Sequence, residues 1–407
     1  MPDKYTSLSR EIYEGASRLA PIYCGFSACI DHLYNLDLVL RALNGAKGKA
    51  ARSFLAELTS FADAGHGGEI EVDWAEGASF FSGLAPKRVL PGGTGVQVAN
   101  QLALFGAKAV LAIERRDPAL LSLLHPNVML VPADRATALV SSEKTAPVHP
   151  IIEFSPTRQG KGPARADRII VRFSEDPIEQ DEAFARYTSS PEPAAGAAVV
   201  SGFNALSGHE LIRALAWGGD LLRRWADVGI PFVHLELADF QSPSDRDAML
   251  AAFAGLYSSL GMNCGELHQL YSGDLRTPNA ILHAVSNLAS DLGLSRVTVH
   301  EDGWALSFTM SDPAEELRAL EFGCLTASAR AHAGQPTLPA GLPEGAKLAL
   351  PPWPPIAKAP TGGHFVSCAA PHLDNPASTI GLGDSFLAGT LAVLAGFRST
   401  STWKDPQ

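Results

Sequence analysis

The sequence predicts an α/β fold, in which a doubly wound, mostly parallel sheet is flanked by helices and joined to a smaller β-rich lid. Two observations support this prediction. Short apolar runs typical of buried strands alternate with helical stretches along most of the 407 residues, the pattern of strand, crossover and parallel strand. The second observation is that two segments do not show this alternation of strands and helices. We predict that residues 32–90 and 147–176 form a discontinuous small lid domain, and that residues 1–31, 91–146 and 177–407 form the large domain.

The predicted elements follow in chain order from apolar runs, helical spacing and glycine or proline breaks. Up to residue 176 they are helices at 12–19, 53–62 and 96–105, strands at 21–26 and 109–113, a short strand ending at 72, and a hairpin of strands at 148–154 and 168–173. Beyond it they are strands at 197–202, 231–237, 297–300 and 305–308, helices at 211–227, 244–259 and 386–397, and a strand-to-helix corner at 261–267. The proline-rich residues 339–360 are predicted to be a surface connection.

Composition and charge narrow the class of protein. With 46% hydrophobic and 18% charged residues the chain is expected to be soluble and globular, and its formal charge of −11 argues against general affinity for nucleic acid or anionic membranes. We find no apolar stretch long enough to span a bilayer and no secretory leader, so a cytoplasmic protein is expected. The five cysteines form no CxxC pair, which predicts reduced thiols and no cysteine metal site.

The stretch 379–386, Thr-Ile-Gly-Leu-Gly-Asp-Ser-Phe, predicts an anion site at the start of the last helix. Gly381 and Gly383 let the backbone approach a ligand, and the free N–H groups of the helix start point at it. Asp384 is then a candidate base that removes a proton from an alcohol while the amides of residues 381–384 hold a phosphoryl group. The alternative is that Asp384 only caps the helix after a glycine turn.

Two further segments bring polar groups to the edge where α/β sheets bind ligands. Asp31 is expected just beyond the carboxyl end of the strand 21–26, although it could equally be a buried or capping residue. Gly92-Gly93-Thr94-Gly95 is a glycine turn that opens the helix 96–105 and aims a loop at a ligand. That loop matches neither the P-loop nor the dinucleotide pattern, so Walker-type ATP binding and a nicotinamide cofactor are not supported.

His234-x-Glu236 and Asn263-x-x-Glu266 are the candidate metal motifs. His234 and Glu236 share one face at the end of an apolar strand because the strand period is two. A solvent-facing pair on an edge strand would have the same pattern, and Asn263 with Glu266 could be no more than a helix capping box. The functional alternative is that Glu236 and Glu266 hold waters of one Mg²⁺, which prefers oxygen ligands and retains water.

Taken in order along the chain, these motifs and several neighbouring segments resemble those of a known protein family. The set comprises 25–31 (Gly-Phe-Ser-Ala-Cys-Ile-Asp), 92–95, 167–170 (Asp-Arg-Ile-Ile), 201–202 (Ser-Gly), 234–236, 261–267 (Gly-Met-Asn-Cys-Gly-Glu-Leu), 299–300 (Val-His) and 379–384. It resembles the ADP-dependent glucokinase and phosphofructokinase family, within the ribokinase-like superfamily, over nearly the whole chain. HxE together with NxxE resembles the ADP-using branch in particular.

The resemblance implies a Mg²⁺-dependent kinase that transfers the β-phosphoryl group of ADP to a sugar hydroxyl and leaves AMP, under a lid that excludes water. The positions matching the catalytic base and the anion-hole amides are Asp384, Gly381, Leu382 and Gly383. Those matching metal and nucleotide contacts are Glu236, Glu266, Asn263, His234 and His300, and those matching sugar contacts are Asp31, Gly93 and Thr94. Sugar and nucleotide are then the partners; the sequence is silent on oligomeric state, and a monomer or small homo-oligomer is expected.

Departures from the family pattern bear on the substrate. Glucokinases favour Gln where this chain has Thr94, but Glu69 lies in a segment that resembles one in which they carry a sugar-contacting Glu, so an unphosphorylated hexose is expected. Fructose 6-phosphate would need a cationic pocket, for which the candidates are Arg168, Arg172, Lys161 and Arg165. Cys264-Gly265 within NxxE is also unusual. The alternatives left open are a phosphofructokinase, an ATP-dependent ribokinase-type kinase, and a non-catalytic sugar or nucleotide sensor.

Overall fold

A computed structural model describes residues 2–65, 67–132, 145–155, 166–174, 176–192 and 194–397. In chain order its strands are β1 (Ile22–Cys24), β2 (Cys29–Asn35), β3 (Gly68–Glu71), β4 (Arg88–Gly92), β5 (Ala109–Leu111), β6 (Met129–Leu130), β7 (Val148–Phe154), β8 (Asp167–Arg172), β9 (Ala197–Val200), β10 (Val233–Glu236), β11 (Ser259–Asn263), β12 (Arg296–Glu301), β13 (Trp304–Thr309), β14 (Ile356–Lys358) and β15 (His364–Ala369). They form one sheet of ten strands and one of five.

The helices, also in chain order, are α1 (Pro2–Ala16), α2 (Leu36–Gly45), α3 (Lys49–Ala64), α4 (Gly77–Ser82), α5 (Thr94–Phe105), α6 (Pro118–Ser122), α7 (Glu182–Thr188), α8 (Gly208–Asp227), α9 (Pro243–Ala252), α10 (Cys264–Leu270), α11 (Pro278–Asp291), α12 (Pro313–Ala333) and α13 (Leu382–Phe397). A 3₁₀ turn spans Phe203–Ala205. Across the ranges that the structure describes, no helix is long and apolar enough to cross a membrane.

The large sheet has the order β14-β15-β13-β12-β11-β10-β9-β1-β5-β6. Neighbouring strands run parallel from β6 to β12, and β13, β15 and β14 add antiparallel pairs at the other edge. Side chains alternate across the sheet, so that Ile22 and Cys24 belong to the buried cluster that includes α1, α5, α12 and α13, whereas Tyr23 belongs to the other large cluster and packs against Phe184 and Trp225. Helices on both faces of a mostly parallel sheet confirm the predicted fold class.

The small sheet has the order β3-β8-β7-β2-β4, with α2, α3 and α4 packed on an apolar cluster of its own. The predicted hairpin is present as the antiparallel pair of β7 and β8. In β2, Asp31 is paired with His149 of the parallel strand β7, and Cys29 with Gly92 of the antiparallel strand β4. Residues far apart in the sequence therefore meet through strand register.

Asp31 occupies a different position from the one predicted. It lies inside β2 of the small sheet and not just beyond a strand of the large one, because the chain leaves the large sheet after Cys24 and enters the small sheet at Cys29. Both β2 and β4 cross the predicted domain boundaries, at residues 31 and 91. The division into a large domain and a discontinuous lid stays a prediction.

Other regions also differ from the prediction: α1 spans Pro2–Ala16 and not 12–19, and β14 lies within the predicted connection 339–360. Helix α9 ends at Ala252 and not at 259, because Gly255 adopts φ +73° and Ser259 already begins a buried strand. The late strands β12 and β13 form an antiparallel hairpin beside the parallel part of the sheet. The helices α11 and α12 and the strand β15 were not predicted, and α12 turns out to carry a residue of the site.

Candidate active site

A cavity of about 900 Å³, lined by residues of both sheets, collects the polar residues that the sequence singles out. Its wall includes Asp31, Glu69, Gly93, Thr94, Glu236, Asn263, Glu266, His300, Gly381, Leu382, Gly383 and Asp384. Among the predicted site residues, His234 is the exception. Its side chain is 1% exposed and lies behind Glu236, so any effect on a ligand runs through that carboxylate.

Asp384 lies in the first turn of α13, directly after the glycine turn. Gly381 adopts φ +70°, and a Cβ there would overlap the guanidinium of Arg330, so both its conformation and its surroundings require glycine. Burial raises the pKa of the Asp384 carboxyl, whereas the charge of Arg330 and a hydrogen bond donated by the Thr94 hydroxyl oppose that rise. Asp384 is therefore a carboxylate held at the mouth of a helix N-terminus.

Arg330 of α12 supports the glycine turn before α13 and was not among the predicted site residues. Its Nε donates to the carbonyl of Ile380 at 2.9 Å, and its Nη1 donates to Oε1 of Gln97 at 2.8 Å. Burial lowers the pKa of Arg330 to about 10, while the nearby carboxylates of Asp384 and Asp31 act in the opposite direction. The guanidinium thus joins the glycine turn before α13 to the first turn of α5 and places a positive charge near Asp384.

The HxE pair forms a buried hydrogen-bonded unit at the end of β10. His234 Nε2 lies 2.8 Å from Glu236 Oε2, and His300 Nε2 lies 3.7 Å from Glu236 Oε1. A Cβ on Gly261, which is paired with Glu236 in β11, would overlap this carboxylate and the imidazole. Burial would raise the pKa of Glu236, but its interactions with His234 and His300 lower it to about 2. These contacts favour the ionised form of Glu236.

A chain of buried groups holds His234 from behind. Its Nδ1 lies 2.8 Å from the Ser259 hydroxyl, which also receives Nη1 of Arg296 at 3.2 Å. Arg296 in turn donates from Nε to Oε1 of Glu316 at 2.8 Å. Burial lowers the pKa of His234. These contacts fix the imidazole, so that Nε2 is the nitrogen that faces Glu236.

The Asn263 and Glu266 pair forms the capping box that the sequence left open as an alternative. Asn263 Oδ1 accepts from the Glu266 amide at 2.9 Å, and Glu266 Oε2 accepts from the Asn263 amide at 2.8 Å. The box uses one oxygen of each side chain. Burial raises the pKa of Glu266 well above its ordinary value, and the charges of Glu236 and Asp239 add to this rise.

The carboxylates of Glu236 and Glu266 repel each other, and a hard cation would relieve this repulsion. The contacts of Glu236 favour its ionised form, whereas Glu266 lines the same cavity with its charged form disfavoured by burial and then by its acidic neighbours. A divalent cation bound between them would offset that repulsion. The donor set is all oxygen, as Mg²⁺ prefers.

The cavity wall also contains a second group of polar side chains. His149 Nε2 lies 2.6 Å from Asp176 Oδ2, and His149 Nδ1 lies 4.0 Å from Asp31 Oδ1. Burial raises the pKa of Asp31 to about 6, against the opposing effect of His149. Burial alone would lower the pKa of His149, but the carboxylates of Asp176 and Asp31 raise it above its ordinary value. His149 and Asp176 were missed because a single histidine in an apolar strand gives no sign of its register partner.

Glu69 lies beside this group and is held by two neighbours. Its Oε1 is 3.4 Å from Nε of Arg172, and its Oε2 accepts from Nδ2 of Asn204 at 3.1 Å. Arg168 lines the cavity and lies 3.5 Å from the carboxylate of Asp167. The other two candidate cations, Lys161 and Arg165, lie outside the described residues.

The sequence and the structure both have recognisable counterparts. Residues 20–393 match the family described as the ADP-specific Phosphofructokinase/Glucokinase conserved region. No curated protein sequence matches significantly.

Solved structures similar to this chain have the same fold. An ADP-dependent kinase in complex with fructose-6-phosphate and ADPβS gives a TM-score of 0.79 at 17% identity, over 98% of this chain and 99% of that chain. A hypothetical ADP-dependent phosphofructokinase from Pyrococcus horikoshii OT3 gives 0.74 at 17% identity, over 95% of this chain and 100% of that chain. A phosphofructokinase from the same organism with AMP gives 0.70 at 17% identity, over 94% and 99%.

Proposed function

This chain belongs to the ADP-specific phosphofructokinase/glucokinase family and is an ADP-dependent sugar kinase, and on that premise we propose that it acts as a glucokinase. It would transfer the β-phosphoryl group of ADP to a hydroxyl of an unphosphorylated hexose and release AMP. One observation carries the proposal: Asp384, at a glycine-opened helix start, lines the same cavity as Glu236, Asp31 and Glu69. A base, an anion site and polar groups for a sugar thus meet in one space.

Asp384 is proposed as the base that accepts the proton of the sugar hydroxyl. The proton must leave as the bond to phosphorus forms, so a carboxylate within hydrogen-bond reach of the hydroxyl is needed. The amides of Gly381, Leu382 and Gly383 would donate to the transferred phosphoryl group. Arg330 favours the ionised form of Asp384, which is the form that a base requires.

We further propose that Glu236 and Glu266 hold Mg²⁺ through its waters, with Asn263 ordering that shell and His234 orienting Glu236. The ion would neutralise negative charge on the phosphoryl group during transfer. His300, whose ring lies 5.0 Å from that of Phe386 and 3.7 Å from Glu236 through Nε2, would contact the nucleotide phosphates from the side of α13. We also propose a cytoplasmic enzyme, a monomer or small homo-oligomer, with no disulfide among its five cysteines.

The acceptor is proposed to be a hexose because Glu69 lines the cavity and the buried cation beside it is already paired. Arg172 is 3% exposed and ion-paired with Glu69, so its charge is already balanced. Asp31, Glu69 and Asn204 would then bind sugar hydroxyls. The second candidate is fructose 6-phosphate, since Arg168 lines the cavity and the similar solved structures include phosphofructokinases.

A crossed assay distinguishes these substrates. Hexoses and fructose 6-phosphate are each combined with ADP or ATP and Mg²⁺, and AMP and sugar phosphate are measured. We expect ADP with an unphosphorylated hexose to give the highest kcat/KM. We also expect Glu69→Gln to lower kcat/KM for that hexose by about tenfold or more, because polar groups built to bind a substrate hydroxyl lose their partner.

The other results of this assay have defined meanings. Fructose 6-phosphate as the better acceptor would replace the glucokinase assignment by the phosphofructokinase one. ATP outperforming ADP would favour a ribokinase-type donor site. Sugar binding without AMP from any combination would mean that the protein is a sensor. The control variant is Glu14→Gln, at an exposed position of α1, for which unchanged kinetics are expected.

Glu266→Gln tests the metal proposal separately from helix capping. Glutamine satisfies a capping box as glutamate does, so α10 should keep its start while the anionic ligand is lost. We expect the Mg²⁺ concentration for half-maximal activity to rise about 10–100-fold, the usual cost of disturbing a metal's outer partners. A Mg²⁺ titration that coincides with that of the unaltered enzyme would show that Glu266 is only a capping residue.

A further inference from the structure

We propose that Cys29, Asp31 and His149 bind a thiophilic divalent cation such as Zn²⁺ in the cavity wall, beside the proposed sugar site. This site is separate from the oxygen ligands at Glu236 and Glu266. The sequence gives no indication of it, since the cysteines show no metal-binding spacing. The three ligands are brought together by the register of the small sheet.

Strand geometry places the three side chains on one patch. Cys29 and Asp31 are two residues apart in β2, so they share a face, and His149 is the register partner of Asp31 in the adjacent strand β7. Gly92 is paired with Cys29 from the other side, and a Cβ there would overlap both the Asp31 carboxylate and the Cys29 sulfur. The absence of a side chain at position 92 leaves room beside these groups.

The spacing of the donor atoms suits one small ion. Cys29 Sγ lies 3.6 Å from Asp31 Oδ1, His149 Nδ1 lies 4.0 Å from the same oxygen, and all three donors fall within 4.8 Å of one another. Tetrahedral zinc with bonds of about 2.0–2.3 Å separates its ligand atoms by roughly 3.3–3.7 Å. Small rotamer adjustments would close the remaining difference.

The surroundings of the patch also match a zinc site. His149 Nε2 lies 2.6 Å from an oxygen of Asp176, so Nδ1 is the nitrogen left for the ion. A carboxylate beside the second ring nitrogen is common around metal-binding histidines. All three side chains are buried, yet they line the cavity. Three protein ligands therefore leave a fourth position open to the cavity, for water or another oxygen ligand.

The competing state is an ion pair in which a protonated His149 lies between Asp31 and Asp176. Binding of Zn²⁺ would release that proton and the Cys29 thiol proton to solvent, leaving thiolate, carboxylate and neutral imidazole around the ion. Since Asp31 belongs to the proposed sugar site, bound Zn²⁺ would exclude the sugar. That consequence rests on the proposed function, whereas the metal site itself does not.

Cobalt(II) provides the spectroscopic test, because it substitutes for zinc and gives a near-ultraviolet charge-transfer band only when a thiolate binds it. Titrating the full-length protein with Co²⁺ should give this band at one equivalent, and Zn²⁺ should abolish it. Cys29→Ser should remove the band, whereas Cys324→Ala, which removes another cavity-lining thiol, should keep it. His149→Gln retains the thiol and should weaken Zn²⁺ binding, measured against a chromophoric chelator, at least tenfold.

Absence of the band in the unaltered protein, or its persistence in Cys29→Ser, would overturn the proposal. Bound Co²⁺ without the band would assign the ion to oxygen ligands elsewhere. Circular dichroism checks that each variant is folded. If Cys29→Ser does not fold, the Zn²⁺ affinity of His149→Gln decides the test. In the kinase assay Zn²⁺ should inhibit competitively with sugar and not with ADP. If the protein has no kinase activity, the Co²⁺ spectrum still decides the metal site.

Discussion

Replacing Asp384 by asparagine is expected to lower kcat by about a thousandfold or more, with little change in the KM or affinity for the sugar. The amide is nearly isosteric, so the cavity and the hydrogen bond with Thr94 are largely kept, but it cannot accept the hydroxyl proton. Removal of a general base alone costs about 10²–10⁴ in rate. Steady-state kinetics with ADP and sugar, together with sugar binding by calorimetry, measure the two effects separately.

Asp220→Asn is the matched control, because Asp220 is an exposed aspartate on α8 away from the cavity. Its kinetics should match those of the unaltered enzyme. Full activity in Asp384→Asn would refute the base assignment and leave Asp384 as a helix cap. Loss of sugar binding together with turnover would instead make Asp384 a binding residue.

Replacing Arg330 by methionine is expected to have the largest combined effect on stability and pH dependence. The change leaves two buried acceptors, the Ile380 carbonyl and Gln97 Oε1, without their donor, and each such loss costs about 1–3 kcal/mol. We therefore expect the free energy of unfolding to fall by roughly 3 kcal/mol, measured by urea denaturation.

The same substitution should move the acid limb of the activity profile. The guanidinium stabilises ionised Asp384, so its removal raises the pKa of that carboxyl further, and the base stays protonated up to a higher pH. The acid limb of kcat/KM should therefore shift to higher pH in Arg330→Met. Arg330→Lys keeps the charge but not the forked hydrogen bonds, so it should lose stability with a smaller shift. An unchanged acid limb in Arg330→Met would show that Arg330 does not affect the pKa of the base.

The parts of the site that the sequence predicted share one property: each is encoded within a few consecutive residues. The glycine turn before α13 and the Asn263 and Glu266 corner are local, because helix starts are determined by neighbouring residues. His234 and Glu236 share a face through the strand period alone. The Asn263 and Glu266 capping box shows that such a local pattern can have a structural role without any ligand.

The parts that could not be predicted depend on long-range register. Asp31 and His149 are 118 positions apart in the numbering and meet only because β2 pairs with β7. Arg330 reaches Asp384 through the packing of α12 against α13, which no local spacing encodes. The helix itself could have been recognised, since Asp312 caps it before Pro313 and Gly334 ends it with φ +73°. Its role in the site could not.

In the proposed reaction this protein moves the β-phosphoryl group of ADP to a hexose hydroxyl with Asp384 as the base. A single-turnover reaction with ADP labelled at its β-phosphorus, excess enzyme, glucose and Mg²⁺ tests it most directly. We expect the label to appear in a sugar phosphate in equal amount to AMP, and Asp384→Asn to slow this transfer by about a thousandfold. Label that stays in ADP, or that is released as inorganic phosphate at the same rate by both proteins, would contradict it.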